Sequence, residues 1–321
     1  MIAETVARLE GVVPASNIFV VAGRRHRRRM LAELPGLDPK RVLSEPVGRN
    51  TAACIGWATL EIRRLCADAV CVVLSADHQI GDTKMFRENL QYAYSLADRR
   101  RCLVTFGIVP RYPETGYGYI KAGRQLDDGS VGREVEAFVE KPDLATAKRY
   151  IASGKYFWNS GMFAWRADVV WEEFREHLPE LARGLEKMDS ARKGRSIPAS
   201  VVDRAYGKLP AISIDNGVLE KSRRVAMMPT TFPWSDIGSW DAVAALWPVD
   251  ASGNATRDPV IALDAARNVV ATRGKPVVLL GVHDLIVVDA GDALLVCARE
   301  RCQDVKIVAA SLDKAGLGDL R

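Results

Sequence analysis

The stretch "VVLSADHQIGD", Val72–Asp82, starts like a buried strand and ends on charged and polar groups. Its aliphatic half asks for a place in a core, and Asp77 and His78 follow where the chain has to leave that core. A carboxylate buried without a partner is costly. Two readings remain open: the run ends in solvent and Asp77 is ordinary loop chemistry, or Asp77 faces a cation that a ligand brings.

Working outward, strand-like and helix-like segments alternate. "NIFVVAG" (Asn17–Gly23) reads as a strand, "RHRRRMLAEL" as a helix, "RVLSEP" as a short strand and "NTAACIGWATLEIRRL" (Asn50–Leu65) as a long helix. "AVCVVLSAD" is then predicted to be a buried strand, "TKMFRENLQYAYSLA" a helix and "RCLVTFGIV" another strand. This order predicts a wound α/β sheet, in which ligands bind beyond the carboxyl ends of the strands. Asp77 stands at one such end. After Gly116 the pattern turns β-rich, with "GYGYIKAG" and "REVEAFVEKP", then the helix "LATAKRYIASG" and the stretch "YFWNSGMFAWR". A turn-rich linker, "DASGNATRDP" (Asp250–Pro259), separates residues 1–249 from 250–321. Beyond it, short aliphatic runs around Val260, Val269, Val277, Ile286 and Leu295, and a last helix near Val305–Lys314, predict a small β-rich domain. Such stacked short strands can hide a degenerate β-helix.

Composition sets the class. A chain of 321 residues, 48% hydrophobic and 26% charged, suits a soluble globular protein, and its net charge of +5 suits anionic small molecules without demanding nucleic acid. The six cysteines lack paired metal-ligand spacing and lie in apolar stretches, which points to reduced thiols and a cytoplasmic location. No apolar run reaches the length of a membrane span, and no signal peptide is legible at the N-terminus.

Each candidate motif has a bland counterpart. Asn50 can cap the helix that starts at Thr51, and the preceding Pro-Val-Gly-Arg loop can offer backbone N–H groups to an anion or a base edge. In "ETGYGYIKAG", glycines let the chain approach a ligand closely, or simply make a turn. "FVEKPD" sets Glu140 and Lys141 past a strand, where a lysine suits phosphate and a glutamate accepts from hydroxyls; a surface ion pair would read alike. Asn159 sits among aromatics in "FWNSGMF", although Asn-Ser-Gly is commonly a turn. Asp236, in "FPWSDIGSWDAV", precedes Ser239, which is placed to cap a helix, and can itself be a turn residue. The basic run "GRRHRRRM" lacks aromatic stacking partners and reads as a solvated face; His78 has no second ligand at metal spacing.

Taken together, "EPVGRNTAA", "VLSADH", "FGIVPRYPETGYGYI", "FVEKPD", "WNSGMF", "SIDNGVLEK" and "WSDIGSWD" follow the order and spacing of mannose-1-phosphate guanylyltransferases. The chain resembles that family from about Met1 to its C-terminus. The resemblance implies a Rossmann-like, GT-A-like nucleotidyltransferase sheet with a small C-terminal domain. It implies guanylyl transfer from GTP to α-D-mannose 1-phosphate, with Mg2+ as cofactor. By the same resemblance, Gly48, Arg49 and Asn50 read the base, Asp77 and Asp236 hold the metal, Gly118, Glu140 and Asn159 hold the sugar, and Lys141 grips its phosphate. The expected partners are these two substrates and further copies of the chain, with neither nucleic acid nor membrane.

Family members begin with a strand and a loop of the kind Gly-Gly-x-Gly-x-Arg-Leu-x-Pro that cradles the triphosphate, whereas "MIAETVARLE" resembles the helix that comes later. The expectation is therefore a sheet truncated at its N-terminus and slow turnover by these 321 residues alone. A non-catalytic sugar-phosphate-binding subunit, and a nucleotidyltransferase for another hexose 1-phosphate, are the competing readings. A nucleic-acid-binding protein is permitted by the arginine run and disfavoured by the rest.

Overall fold

The computed structural model describes residues 1–127, 129, 131–194 and 196–317. The chain forms two compact units, Met1–Trp234 and Ser235–Arg321, so the turn-rich stretch 250–259 lies inside the second.

In the first unit, β1 (Val20–Gly23) and β2 (Val42–Glu45) pair in parallel, with α1 (Ile2–Arg8) and α2 (Arg27–Glu33) beside them. α3 (Asn50–Leu65) follows, burying Ala52, Ala53, Ile55, Trp57 and Leu60 at helical spacing. β3 (Val70–Val73) and the short β4 (Gln79–Ile80) flank the Asp77 turn, and Asp82 ends the opening stretch as the N-cap of α4 (Thr83–Arg100). Its Oδ1 accepts the Met85 N–H at 3.0 Å, one of the donors that a helix start leaves unpaired. The rest of the unit is β5 (Leu103–Ile108), β6 (Tyr119–Gln125), β7 (Arg133–Val139), α5 (Leu144–Ser153), β8 (Tyr156–Arg166), α6 (Ala167–His177), α7 (Pro179–Ser190), α8 (Ala199–Tyr206) and β9 (Val225–Thr230).

Six of these strands form one mixed sheet in the order β3-β8-β5-β9-β7-β6. β5 and β9 run parallel and the other neighbours antiparallel, while β6 also pairs with the first residues of β8. Alternate residues of the central strands feed two cores. Leu103, Phe163 and Trp165 join the core under α3, α6, α7 and α8, whereas Val104, Phe106, Met162 and Ala164 join the one under α4. The predicted buried strand at residues 69–77 is shorter than expected. Only Val70–Val73 is extended, and Cys71 alone in it is fully buried, because β3 is a sheet edge paired only with β8.

The second unit stacks short parallel strands. Ala255–Thr256 pairs with Val269–Ala271, which pairs with Leu285–Asp289, and Val260–Leu263 pairs with Val277–Leu280. These are successive coils of a short β-helix. Asn254 and Asn268 are fully buried, and the Asn268 Nδ2 donates to Asn254 Oδ1 at 2.9 Å, so neighbouring coils satisfy each other's amides. The final helix runs over Val305–Lys314.

Candidate active site

The start of β6, the end of β7 and an inner stretch of β8 bring three of the sequence-predicted residues together. Gly118 lies just before β6, and a Cβ placed there would come within 2.7 Å of Glu140 Oε1 and 3.7 Å of Asn159 Cβ. Only a residue without a side chain lets the Glu140 carboxylate lie over that backbone. The Asn159 N–H donates to the Gly118 carbonyl at 2.8 Å. Glu140 is exposed as a residue, yet partial desolvation of its carboxylate, and then the nearby Asp215, push its pKa up; Lys141 opposes them.

Asn159 is not in a turn. It lies inside β8, where the register against β5 jumps from Gly107↔Asn159 to Thr105↔Phe163. The extra β8 residues form a bulge, with Gly161 at φ +66°. Bulges of this kind re-aim a side chain, and the left-handed conformation of Gly161 explains the Asn-Ser-Gly sequence that local reasoning takes for a loop.

Lys141 follows directly, exposed and at φ +38°, an uncommon backbone region for a residue with a side chain. Asn50 shares this feature at φ +61°, with its Oδ1 accepting the Thr51 N–H at 2.8 Å; it is the first residue of α3, not a residue outside it. Beside it, Arg49 is half-buried and its Nε has no hydrogen-bond partner among the described residues, while Gly48 is exposed. Backbone held in sparsely populated regions gathers at ligand sites.

Asp77 is exposed in the turn between β3 and β4. In the same unit, the Trp234 Nε1–H donates to His78 Nδ1 at 3.2 Å, and Trp234 makes an edge contact with Tyr117, which precedes Gly118. Asp236 belongs to the second unit. Its Oδ1 accepts the Gly238 N–H at 2.9 Å, the turn role weighed from sequence, and Ser239 Oγ accepts the Ala242 N–H at 3.2 Å as the expected cap. Ile237, between them, has φ +50°, strained for a β-branched residue. Among the described residues no three His, Cys, Asp or Glu side chains cluster as a metal site.

Sequence reasoning assigned no role to Asp215, though it lies in "SIDNGVLEK". Its Oδ1 accepts the Asn159 Nδ2–H at 2.8 Å, and burial raises its pKa. An acidic residue preceded by Ile214 and followed closely by Val218 was the available signal.

The family model for nucleotidyl transferases matches residues 1–252, and that for the MannoseP isomerase/GMP-like beta-helix domain matches residues 258–312. The chain is 41% identical to the xanthan biosynthesis protein XanB of Xanthomonas campestris pv. campestris (strain B100), over 95% of this chain and 64% of XanB. It is 37% identical to the mannose-1-phosphate guanylyltransferase of Escherichia coli (strain K12), over 98% of this chain and 67% of that protein. The chain thus spans about two thirds of the length of these curated relatives. A crystal structure from Thermus thermophilus, described as a mannose-1-phosphate geranyltransferase, superposes with a TM-score of 0.83 at 33% identity, covering 97% of this chain and 89% of that one. On these matches and on the fold, the chain belongs to the nucleotidyl transferase family, in the branch whose members include mannose-1-phosphate guanylyltransferases.

Proposed function

We propose that this chain carries the acceptor site and the base-reading loop of an enzyme that transfers a guanylyl group from GTP to α-D-mannose 1-phosphate. A phosphate oxygen of mannose 1-phosphate attacks the α-phosphorus of GTP and forms the new P–O bond. The α–β bridging bond breaks, and pyrophosphate leaves with the electron pair. Two anions must meet, so positioning and charge neutralisation carry most of the work, and no covalent nucleophile is required.

Within this reading, Lys141 pairs with the sugar phosphate as a compact cation. Glu140 and Asn159 accept from and donate to ring hydroxyls over the Gly118 backbone. Gly48, Arg49 and Asn50 meet the guanine, with the buried Arg49 Nε as a donor in need of an acceptor. The family resemblance gives Asp77, in the first unit, and Asp236, in the second, each as a carboxylate ligand for a divalent cation, magnesium in the cell. Carboxylate oxygens suit a hard ion that keeps several waters; Asp77 is exposed, and the turn at Asp236 occupies Oδ1 only. Such an ion would neutralise charge on the nucleotide phosphates. A cytoplasmic setting suits the six cysteines, which remain thiols.

The observation that carries the reading is the convergence of Gly118, Glu140 and Asn159 next to Lys141. The test is pyrophosphate release with Mg2+, by the chain joined upstream to the family's strand and Gly-Gly-x-Gly-x-Arg-Leu-x-Pro loop, across a panel of nucleoside triphosphates and hexose 1-phosphates. Release that requires GTP and mannose 1-phosphate together is the expected outcome. Preference for UTP or for glucose 1-phosphate would assign the site to another nucleotide sugar, and release from no pair would overturn the proposal.

A further inference from the structure

We infer that Asp215 is the positioning residue of the acceptor site, locking the Asn159 amide so that Asn159 and Glu140 discriminate hexose 1-phosphates by their ring hydroxyls. The inference rests on the acceptor-site reading above and adds the group that sets its selectivity.

The Asn159 amide has one permitted orientation. Its Nδ2 donates to Asp215 Oδ1 at 2.8 Å, while its Oδ1 accepts the Gly161 N–H at 3.3 Å and the Thr105 hydroxyl at 3.4 Å. Flipping the amide would place an oxygen against the Asp215 carboxyl and an NH2 against the Gly161 N–H, losing two bonds at once. Asp215 is itself held firmly. It opens a single π-helical turn, Asp215–Leu219, a feature frequent at functional sites. The residues before it are tied to α3, with the Ile214 N–H donating to Thr51 Oγ1 at 2.8 Å and the Ile212 carbonyl accepting the Ala52 N–H at 3.1 Å. The half-buried carboxyl is bonded to Asn159 and lies near enough to Glu140 to act on its ionisation.

A fixed amide beside a carboxylate presents a donor and acceptors in a set geometry to neighbouring hydroxyls. An epimer with one hydroxyl reversed leaves a polar group unpaired, which costs far more than a lost apolar contact. If the amide could rotate, either epimer would find a partner and the discrimination would fade. Asp215 thus acts through Asn159 and need not touch the sugar.

Calorimetric titration with α-D-mannose 1-phosphate and with its C2 epimer α-D-glucose 1-phosphate tests this on the whole chain. Asp215→Ala is expected to weaken mannose 1-phosphate by about tenfold and to bring the ratio of the two Kd values towards one. Asn159→Ala and the double variant should show the same loss as each other, since Asp215 has nothing left to position. Asp215→Asn keeps an acceptor oxygen and is expected to restore most of the ratio. Should Asp215→Ala not fold, Asp215→Leu removes the acceptor while keeping the branched outline of the side chain. Additive losses, or an unchanged ratio in a variant lacking the acceptor, overturn the inference while the acceptor-site reading stands. Failure of the unaltered chain to bind either hexose 1-phosphate overturns both.

Discussion

Thr51 Oγ1 accepts the backbone N–H of Ile214 at 2.8 Å, joining the first turn of α3, just past Gly48–Asn50, to the segment that leads into Asp215. The Gly48–Asn50 loop and the segment bearing Asp215, the partner of Asn159, are thereby tied through this hydroxyl and the adjacent Ala52–Ile212 backbone bond. Thr51→Val keeps the shape and removes the acceptor. It is expected to cost about 1 kcal/mol in urea unfolding, the net worth of one such bond, and to raise the apparent Kd for both substrates. A change for one substrate only would show that the two parts are held independently.

Asp215 also gives the stability a pH signature. Burial raises its pKa, so the folded chain holds this proton to higher pH than the unfolded chain does. Stability from this group is therefore full below the unfolded carboxylate value of about 4, and declines as pH rises from there through the raised folded value. Asp215→Asn abolishes the decline. The Tm difference between variant and parent is expected near zero at about pH 4 and positive at about pH 8. A difference that does not vary with pH would contradict the burial of a titrating carboxyl.

Lys141 sets stability against function. Its φ of +38° suits glycine, so Lys141→Gly is expected to hold or slightly raise thermal stability, by up to about 1 kcal/mol. The same change removes the cation assigned to the sugar phosphate. In the chain joined upstream to the family's strand and glycine loop, a loss of about 30- to 1000-fold in kcat/KM for mannose 1-phosphate is expected, equivalent to about 2 to 4 kcal/mol. Unchanged kinetics would exclude the role.

Cysteine labelling probes the β3 edge. Cys71 is buried and its thiol is pushed up to about 12 by that burial, whereas Cys66, five positions earlier, is exposed. Only the thiolate is nucleophilic. At about pH 8, iodoacetamide is expected to modify Cys66 well before Cys71, read by peptide mass. Equal rates would mean that β3 opens readily.

Much of this was legible from sequence because the relevant signals are local. The α3 span Asn50–Leu65 and the aliphatic runs of the β-helix emerge with little change, since apolar periodicity and turn residues specify them directly. The features that escaped depend on distant pairing. Asn-Ser-Gly reads as a turn until β5 and β6 pair with β8 and convert it into a bulge. Nothing near Asp215 in sequence announces that its carboxyl will meet Asn159, 56 positions away. The half-burial of β3 follows from sheet order, which a four-residue aliphatic run does not encode.

The central claim, that the start of β6, the end of β7 and an inner stretch of β8 form the acceptor site, is tested most directly by adding α-D-mannose 1-phosphate to 15N-labelled protein and following the backbone amides. The largest shifts are expected at Gly118, Glu140, Lys141 and Asn159, with Asp215 moving alongside them, and they should vanish in Lys141→Ala at the same ligand concentration. Saturable shifts centred elsewhere, with these amides unmoved, would contradict the account.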